Sequence, residues 1–277
     1  MKVVLSIAGS DSGGGAGIQA DLLTFAAHGV HGATAITAIT AQNTVAVTAW
    51  EPVDPELVRA QIEAVASDMQ ISALKTGMLA NRAIIEVVAS TIASLGLQNL
   101  VVDPVMVAKS GDRLLDAEAG QAYVERLFPL AALVTPNLPE AEAFLSRRVR
   151  TIEDMKDAAI ALSRLGCRAV LVKGGHLEGD PFDILWDGST LHELAAPRID
   201  TKNTHGTGCT YSAAITARMA YGYDIETSVR GAKMYLTTAI QESYSPGKGH
   251  GPVRHLNSGA VSALGRATGP YPRSLVR

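Results

Sequence analysis

The sequence predicts an α/β protein, a three-layer αβα sandwich on a mostly parallel central sheet. Short β-branched runs bounded by turn residues recur along the chain, and Ala/Leu/Ile-rich segments with helical spacing lie between them. Strands that alternate with helices pair in parallel through right-handed crossovers, which places helices on both sheet faces. The 277 residues are 47% hydrophobic and 18% charged, enough apolar material for one large core and too much for a disordered chain.

The first strand is VVLSIAG (3–9), and the turn SDSGGGAG leads from it into a helix carrying Asp21. ATAITAIT (33–40) is the second strand, followed by the helical segment 55–69. ALKTG (73–77), NLVVDPV (99–105), ALVTPN (132–137) and AVLVKGG (169–175) continue the strands, with helical patterns at 83–94 and 151–166. Thr151 and Asp154 form a capping-box pair at the start of the last helix, and Gly166 marks its end. FDILWDG and STLHELAAP (182–197) read as an antiparallel hairpin turning at Asp187-Gly188. No linker or shift of composition divides the chain, so it reads as one domain, with excursions near 40–53 and 176–190 placed to cover a cleft.

Lys+Arg total 24 and Asp+Glu 27, so the net charge of −3 offers no general field for nucleic acid or an anionic membrane. Any phosphate site must be local. The two cysteines, Cys167 and Cys209, form no C-x-x-C pair and no zinc-like cluster with the seven histidines, which points to a reducing compartment. The start of the chain lacks the pattern of a cleaved signal, and the longest Ala/Thr/Val stretch is interrupted by Gln42 and Asn43. A cytoplasmic, soluble protein is the expectation.

Asp11, Gln42, Lys75, Asp103, Asn137 with Glu140, and Lys173 all fall at or just beyond the carboxyl end of a predicted strand, the edge where open parallel sheets bind ligands. The turn GSDSGGGAGIQAD fits neither the dinucleotide fingerprint nor the P-loop. Gly206-Thr207-Gly208 precedes an apolar helix and leaves backbone N–H groups free to receive an anion, the charge distribution of a phosphoryl group in flight. The same helix end is expected to lower the pKa of Cys209, whereas Cys167 reads as a buried structural thiol. Asn137 and Glu140 have the spacing of hard oxygen ligands for Mg²⁺, with Asp103 a second carboxylate on that edge, or they simply cap a helix. Lys173, followed by two glycines, suits a phosphate. Gln42 offers a donor and an acceptor side by side, the pattern that pairs with an aminopyrimidine, and Met78 and Val105 can wall such a ring or belong to the core. GKGHGPVRH (247–255) reads as a nucleotide-side loop or, less well, as a metal tract through His250 and His255.

AGSDSGGGAGIQAD, TAQNT, KTGML, DPVMVAKSG, TPNLPEA, VLVKGGH, NTHGTGCT and GHGP, in that order, resemble the hydroxymethylpyrimidine/phosphomethylpyrimidine kinases of the ribokinase-like superfamily. The resemblance covers residues 1–260 as a kinase domain and leaves 261–277 as a tail of unassigned role. It implies a homodimer that uses Mg²⁺ and ATP to phosphorylate 4-amino-5-hydroxymethyl-2-methylpyrimidine and then its monophosphate, and it leaves a monovalent-cation requirement open. It further implies that Asp21, Gln42, Met78, Val105 and Cys209 line the pyrimidine pocket. Gly206, Thr207 and Gly208 would form the anion hole, Lys173 would lie by the nucleotide phosphates, and Asp103, Asn137 and Glu140 near the metal. Cys209 stands where most of the superfamily carries an Asp base. Three other readings stay open: a pyridoxal or pyridoxine kinase of the same fold, an acyl transferase using Cys209 with His205, and a non-catalytic precursor sensor.

Overall fold

The computed structural model describes residues 1–106, 119–175 and 181–257. Residues 107–111 of DPVMVAKSG, His176 and the tail 261–277 lie outside the described residues. A nine-stranded sheet runs through the described part: β1 (Val3–Asp11), β2 (His31–Gln42), β3 (Val47–Pro52), β4 (Ile71–Thr76), β5 (Leu100–Val102), β6 (Ala131–Val134), β7 (Val170–Gly174), β8 (Phe182–Trp186) and β9 (Leu191–Ala195). Their order is β3-β2-β1-β4-β5-β6-β7-β8-β9. The contacts from β2 through β7 are parallel, whereas β3, β8 and β9 pair antiparallel at the two sides.

Side chains alternate across the sheet, as the period of two requires. Leu5, Ile7, Val102, Val134, Val172 and Ile184 enter one core with α2 (Pro55–Asp68), α3 (Arg82–Ser94) and α6 (Ile152–Ser163). Between them α4 (Ala119–Ala122) runs on as a π-helical turn, Tyr123–Leu127, and α5 (Leu138–Leu145) follows β6. Val101, Leu133, Leu171 and Leu185 face α7 (Thr207–Ala220) and α8 (Ile225–Gln241), and Val4 packs with Phe25 of α1 (Gly17–Ala27) and Ala213 and Ala217 of α7. The expected three layers are therefore present.

The strands and helices fall within a few residues of their expected places. Thr151 and Asp154 make both bonds of the capping box, and Asp187 holds the hairpin turn by accepting from the Ser189 and Thr190 amides at 2.8 Å. The excursion near 40–53 is instead a strand, β3, that extends the sheet beyond β2. The chain turns in opposite directions along the sheet from β1, to β2 on one side and β4 on the other. A crevice at the carboxyl ends of strands belongs at such a point.

Candidate active site

A cleft of about 1000 Å³ opens along the carboxyl edge of the sheet. Among the sequence-predicted residues, Gln42, Met78, Asp103, Val105, Asn137, Glu140, Lys173, Gly206, Thr207, Gly208 and Cys209 line it. Asp21 does not; it is completely buried on α1 behind the wall, where Lys75 Nζ donates to it at 2.8 Å and Ser6 Oγ at 2.6 Å.

Gly206 forms the entry to α7 with φ +75°, and a Cβ there would stand 1.9 Å from the Gly15 carbonyl oxygen. That left-handed residue turns the chain so that the first amides of α7 face the cleft. The Thr207 amide makes a 3.4 Å bond to the Thr204 carbonyl, while those of Gly206, Gly208 and Cys209 have no acceptor among the described residues. Amides without an acceptor among the described residues at the N-terminus of a fourteen-residue helix have the arrangement that can receive an anion. Lys173 and Asp103 lie beside it: a Cβ on Gly208 would be 3.5 Å from Lys173 Nζ and 3.7 Å from Asp103 Oδ2.

Asp103 is 1% exposed and accepts from Lys173 Nζ at 2.8 Å, Thr135 Oγ1 at 3.1 Å and Ser212 Oγ at 3.1 Å. Burial opposes its ionisation, but Lys173, Lys75 and the hydroxyl donor of Ser212 outweigh it and hold the carboxyl below its ordinary range. Glu140 and Asn137 form a capping box at the start of α5, the Asn137 amide donating to Glu140 Oε2 at 2.7 Å and the Glu140 amide to Asn137 Oδ1 at 2.9 Å. Burial raises Glu140 to about 7, against the pull of Lys173, and the Asp103 charge adds to the rise.

Cys209 departs from expectation. The α7 N-terminus does lie at the thiol, but burial pushes it up to about 11, with the carboxylates Asp21 and Asp103 adding to the effect and Lys75 and the Gly17 amide opposing it. Desolvation of the thiolate outweighs the helix end. Alkylation by iodoacetamide, with peptide mapping to separate Cys209 from buried Cys167, is expected to keep accelerating beyond about pH 10; a plateau near pH 8 would show that the helix end wins.

Sequence reading missed how Asp11 and His205, 194 positions apart, organise the glycine-rich turn. Asp11 accepts from the Gly13, Gly15 and Ala16 amides at 2.8, 3.0 and 2.8 Å, and from His205 Nε2 at 2.9 Å. His205 therefore stands beside a carboxylate and Gln42, whose Nε2 lies 3.3 Å away. Sequence reading also missed Lys233 Nζ, which donates at 2.6 Å to Asp183 at the far wall of the cleft. His250 Nδ1 donates to the Lys202 carbonyl oxygen while His255 is buried, and no group of three or more His, Cys, Asp or Glu fit for a metal occurs among the described residues. No helix among the described residues is long and apolar enough to cross a membrane.

Comparison with known proteins agrees with this geometry. A hydroxymethylpyrimidine/phosphomethylpyrimidine kinase of Rhizobium meliloti is 52% identical over 92% of this chain and 97% of its own length. The bifunctional thiamine biosynthesis protein ThiED of Geobacter sulfurreducens is 49% identical over 91% of the chain, which spans about half (52%) of that longer protein. Among solved structures, Bacillus subtilis pyridoxal kinase in complex with ADP superposes with TM-score 0.87 at 42% identity, covering 95% of this chain and 98% of its own. A phosphomethylpyrimidine kinase from Clostridium difficile superposes with TM-score 0.78 at 43% identity, covering 87% and 100%. The phosphomethylpyrimidine kinase family model matches residues 11–254. On the fold, the cleft and this match over most of its length, the chain belongs to the phosphomethylpyrimidine kinase family.

Proposed function

We propose that the cleft transfers the γ-phosphoryl group of ATP to the hydroxymethyl oxygen of 4-amino-5-hydroxymethyl-2-methylpyrimidine, and then to the resulting monophosphate, in thiamine biosynthesis. The observation that carries this reading is that the amides of Gly206, Gly208 and Cys209 find no acceptor among the described residues and lie beside the Lys173–Asp103 pair. Donors fixed before the reaction stabilise charge on the equatorial oxygens of the moving phosphoryl group at no cost of reorganisation. Gln42 reads the aminopyrimidine edge, with Met78 and Val105 against the ring. Asp21 stands behind that pocket, bonded to Lys75, and does not itself hold the ring.

Mg²⁺ fits the donor set. Among the described residues Asp103 and Glu140 give two carboxylates and no third joins them, which suits an ion that keeps its waters and arrives with nucleotide phosphates. The Asn137 side chain already accepts from the Glu140 amide, so it reaches the ion through its remaining lone pair or a water. When bound, the ion offsets phosphate charge. Lys173 holds the phosphates as a point charge, and a homodimer in the cytoplasm is part of the same proposal.

A thiol of pKa about 11 is ionised in about one molecule in ten thousand at pH 7. Only that rare thiolate can take the proton of the alcohol, so Cys209 contributes weakly as a base, which a loose transition state tolerates. The phosphate acceptor, with a second pKa near 6, needs no base. In Cys209→Ala, transfer to the alcohol is expected to fall about 10²-fold, the lower end of general-base effects, and transfer to the monophosphate less than about tenfold. Equal losses would assign the sulfur to packing. Phosphorus NMR of the unsubstituted protein with Mg-ATP and the pyrimidine alcohol tests the whole reading: mono- and then diphosphate are expected. Pyridoxal, run in parallel, tests the second reading, which the likeness to pyridoxal kinases favours; a better rate with pyridoxal would replace the first.

A further inference from the structure

Lys75 is a cation inside the central strand β4 with its side chain 0% exposed. Full burial of Lys is rare, because the ammonium loses its hydration. Its three N–H groups find one acceptor among the described residues, Asp21 Oδ1 at 2.8 Å, and Asp21 spends its other oxygen on the Ser6 hydroxyl at 2.6 Å. The pair ties β1, α1 and β4 together under one end of the cleft. It lies in a definite direction. Neither side chain lines the cleft, but Gly77 does, and a Cβ added there would stand 3.7 Å from Lys75 Nζ with no atom of Asp21 within 4 Å. The positive end of the pair therefore faces the floor beside Cys209, and its influence on the thiol exceeds that of Asp21. At the other end of the anion cradle, Lys173 is already paired with Asp103.

The two proposed transfers differ in one electrostatic respect. The first acceptor is a neutral alcohol, whereas the second carries a charge of about −1.5 to −2 and must approach a nucleotide that is itself anionic. We propose that Lys75, oriented by Asp21 beneath Gly77, is the residue that admits the anionic acceptor: its field at the acceptor end offsets repulsion between the monophosphate and the γ-phosphoryl group, and so separates the second transfer from the first. In that step an oxygen of the acceptor phosphate forms the new P–O bond while the bond from the γ-phosphorus to the bridging oxygen breaks, and ADP leaves with the electron pair. The inference rests on the two-step reading of the site.

The test compares both transfers in Lys75→Met and in Lys75→Gln/Asp21→Asn, which keeps size and a hydrogen bond but removes both charges. The kcat/KM for the monophosphate is expected to fall about 30-fold or more and its calorimetric affinity about tenfold, with the alcohol changed less than about threefold in both respects. This pattern is the reverse of that expected for Cys209→Ala. Equal losses for the two acceptors, or none, would overturn the proposal. Should either variant fail to fold, the unsubstituted protein labelled with ¹⁵N-lysine decides: the Lys75 ammonium resonance is expected to shift on addition of the monophosphate and not of the alcohol, and an unmoved resonance overturns the idea. Loss of the Lys75 effect with both wild-type transfers intact would sink this inference alone; absence of both transfers in the unsubstituted enzyme would sink it together with the functional reading.

Discussion

Lys173→Met is expected to lower phosphoryl transfer to either acceptor by about 10³-fold, the scale set by removing one fixed donor from a charge-stabilising site. It should also destabilise the fold by about 3 kcal/mol, because Asp103, 1% exposed, keeps its charge and loses its closest cation. Lys75 and the hydroxyls of Thr135 and Ser212 remain near Asp103, which places the loss at the low end for a broken buried pair. The two effects separate in Lys173→Met/Asp103→Asn. Urea unfolding of this double variant should return most of the stability, while the coupled assay should stay at the level of the single variant or below. Recovery of activity along with stability would mean that Lys173 acts only through the fold.

The second large effect is expected at Gly206. An alanine there meets two penalties: a φ of +75° that side chains with a Cβ adopt at a cost of about 1–2 kcal/mol, and a methyl that would stand 1.9 Å from the Gly15 oxygen. Neither neighbour is a flexible side-chain end, so the entry to α7 must move. Activity is expected to fall about 10²- to 10³-fold, the range for misplacing a preorganised donor, with the melting temperature lowered by several degrees. A variant that melts lower yet keeps its kcat would show that the α7 amides are not the cradle.

Much of the layout was legible because the carboxyl-edge rule needs only strand ends, and β-branched runs mark those. Asp11, Gln42, Asp103 and Lys173 were placed in the cleft that way. Asn137 and Glu140 had the spacing of a capping box, and that bond pattern is what the structure contains. The strand β3 was not legible: VTAWEP has mostly exposed residues and ends in Pro, which an edge strand permits and a central one does not. Nor was the partner of Asp21, since 54 residues separate it from Lys75 and pairing at that range depends on which face of the sheet each side chain leaves. The signal lay in the sequence, a single Lys within the apolar run ISALKT. For Cys209 the sequence displayed the helix end but not the depth of burial, and burial decides the direction of the shift.

The Asp11 carboxylate gives the two glycine-rich turns opposite characters. In the turn after β1 it already occupies the amides of Gly13, Gly15 and Ala16, so that loop offers an incoming anion no vacancy and a charge of its own sign. The turn before α7 is its counterpart with the seats empty. A polyanionic guest consequently meets two touching turns of opposite character, one with amides open to it and the other with its amides already taken by a carboxylate.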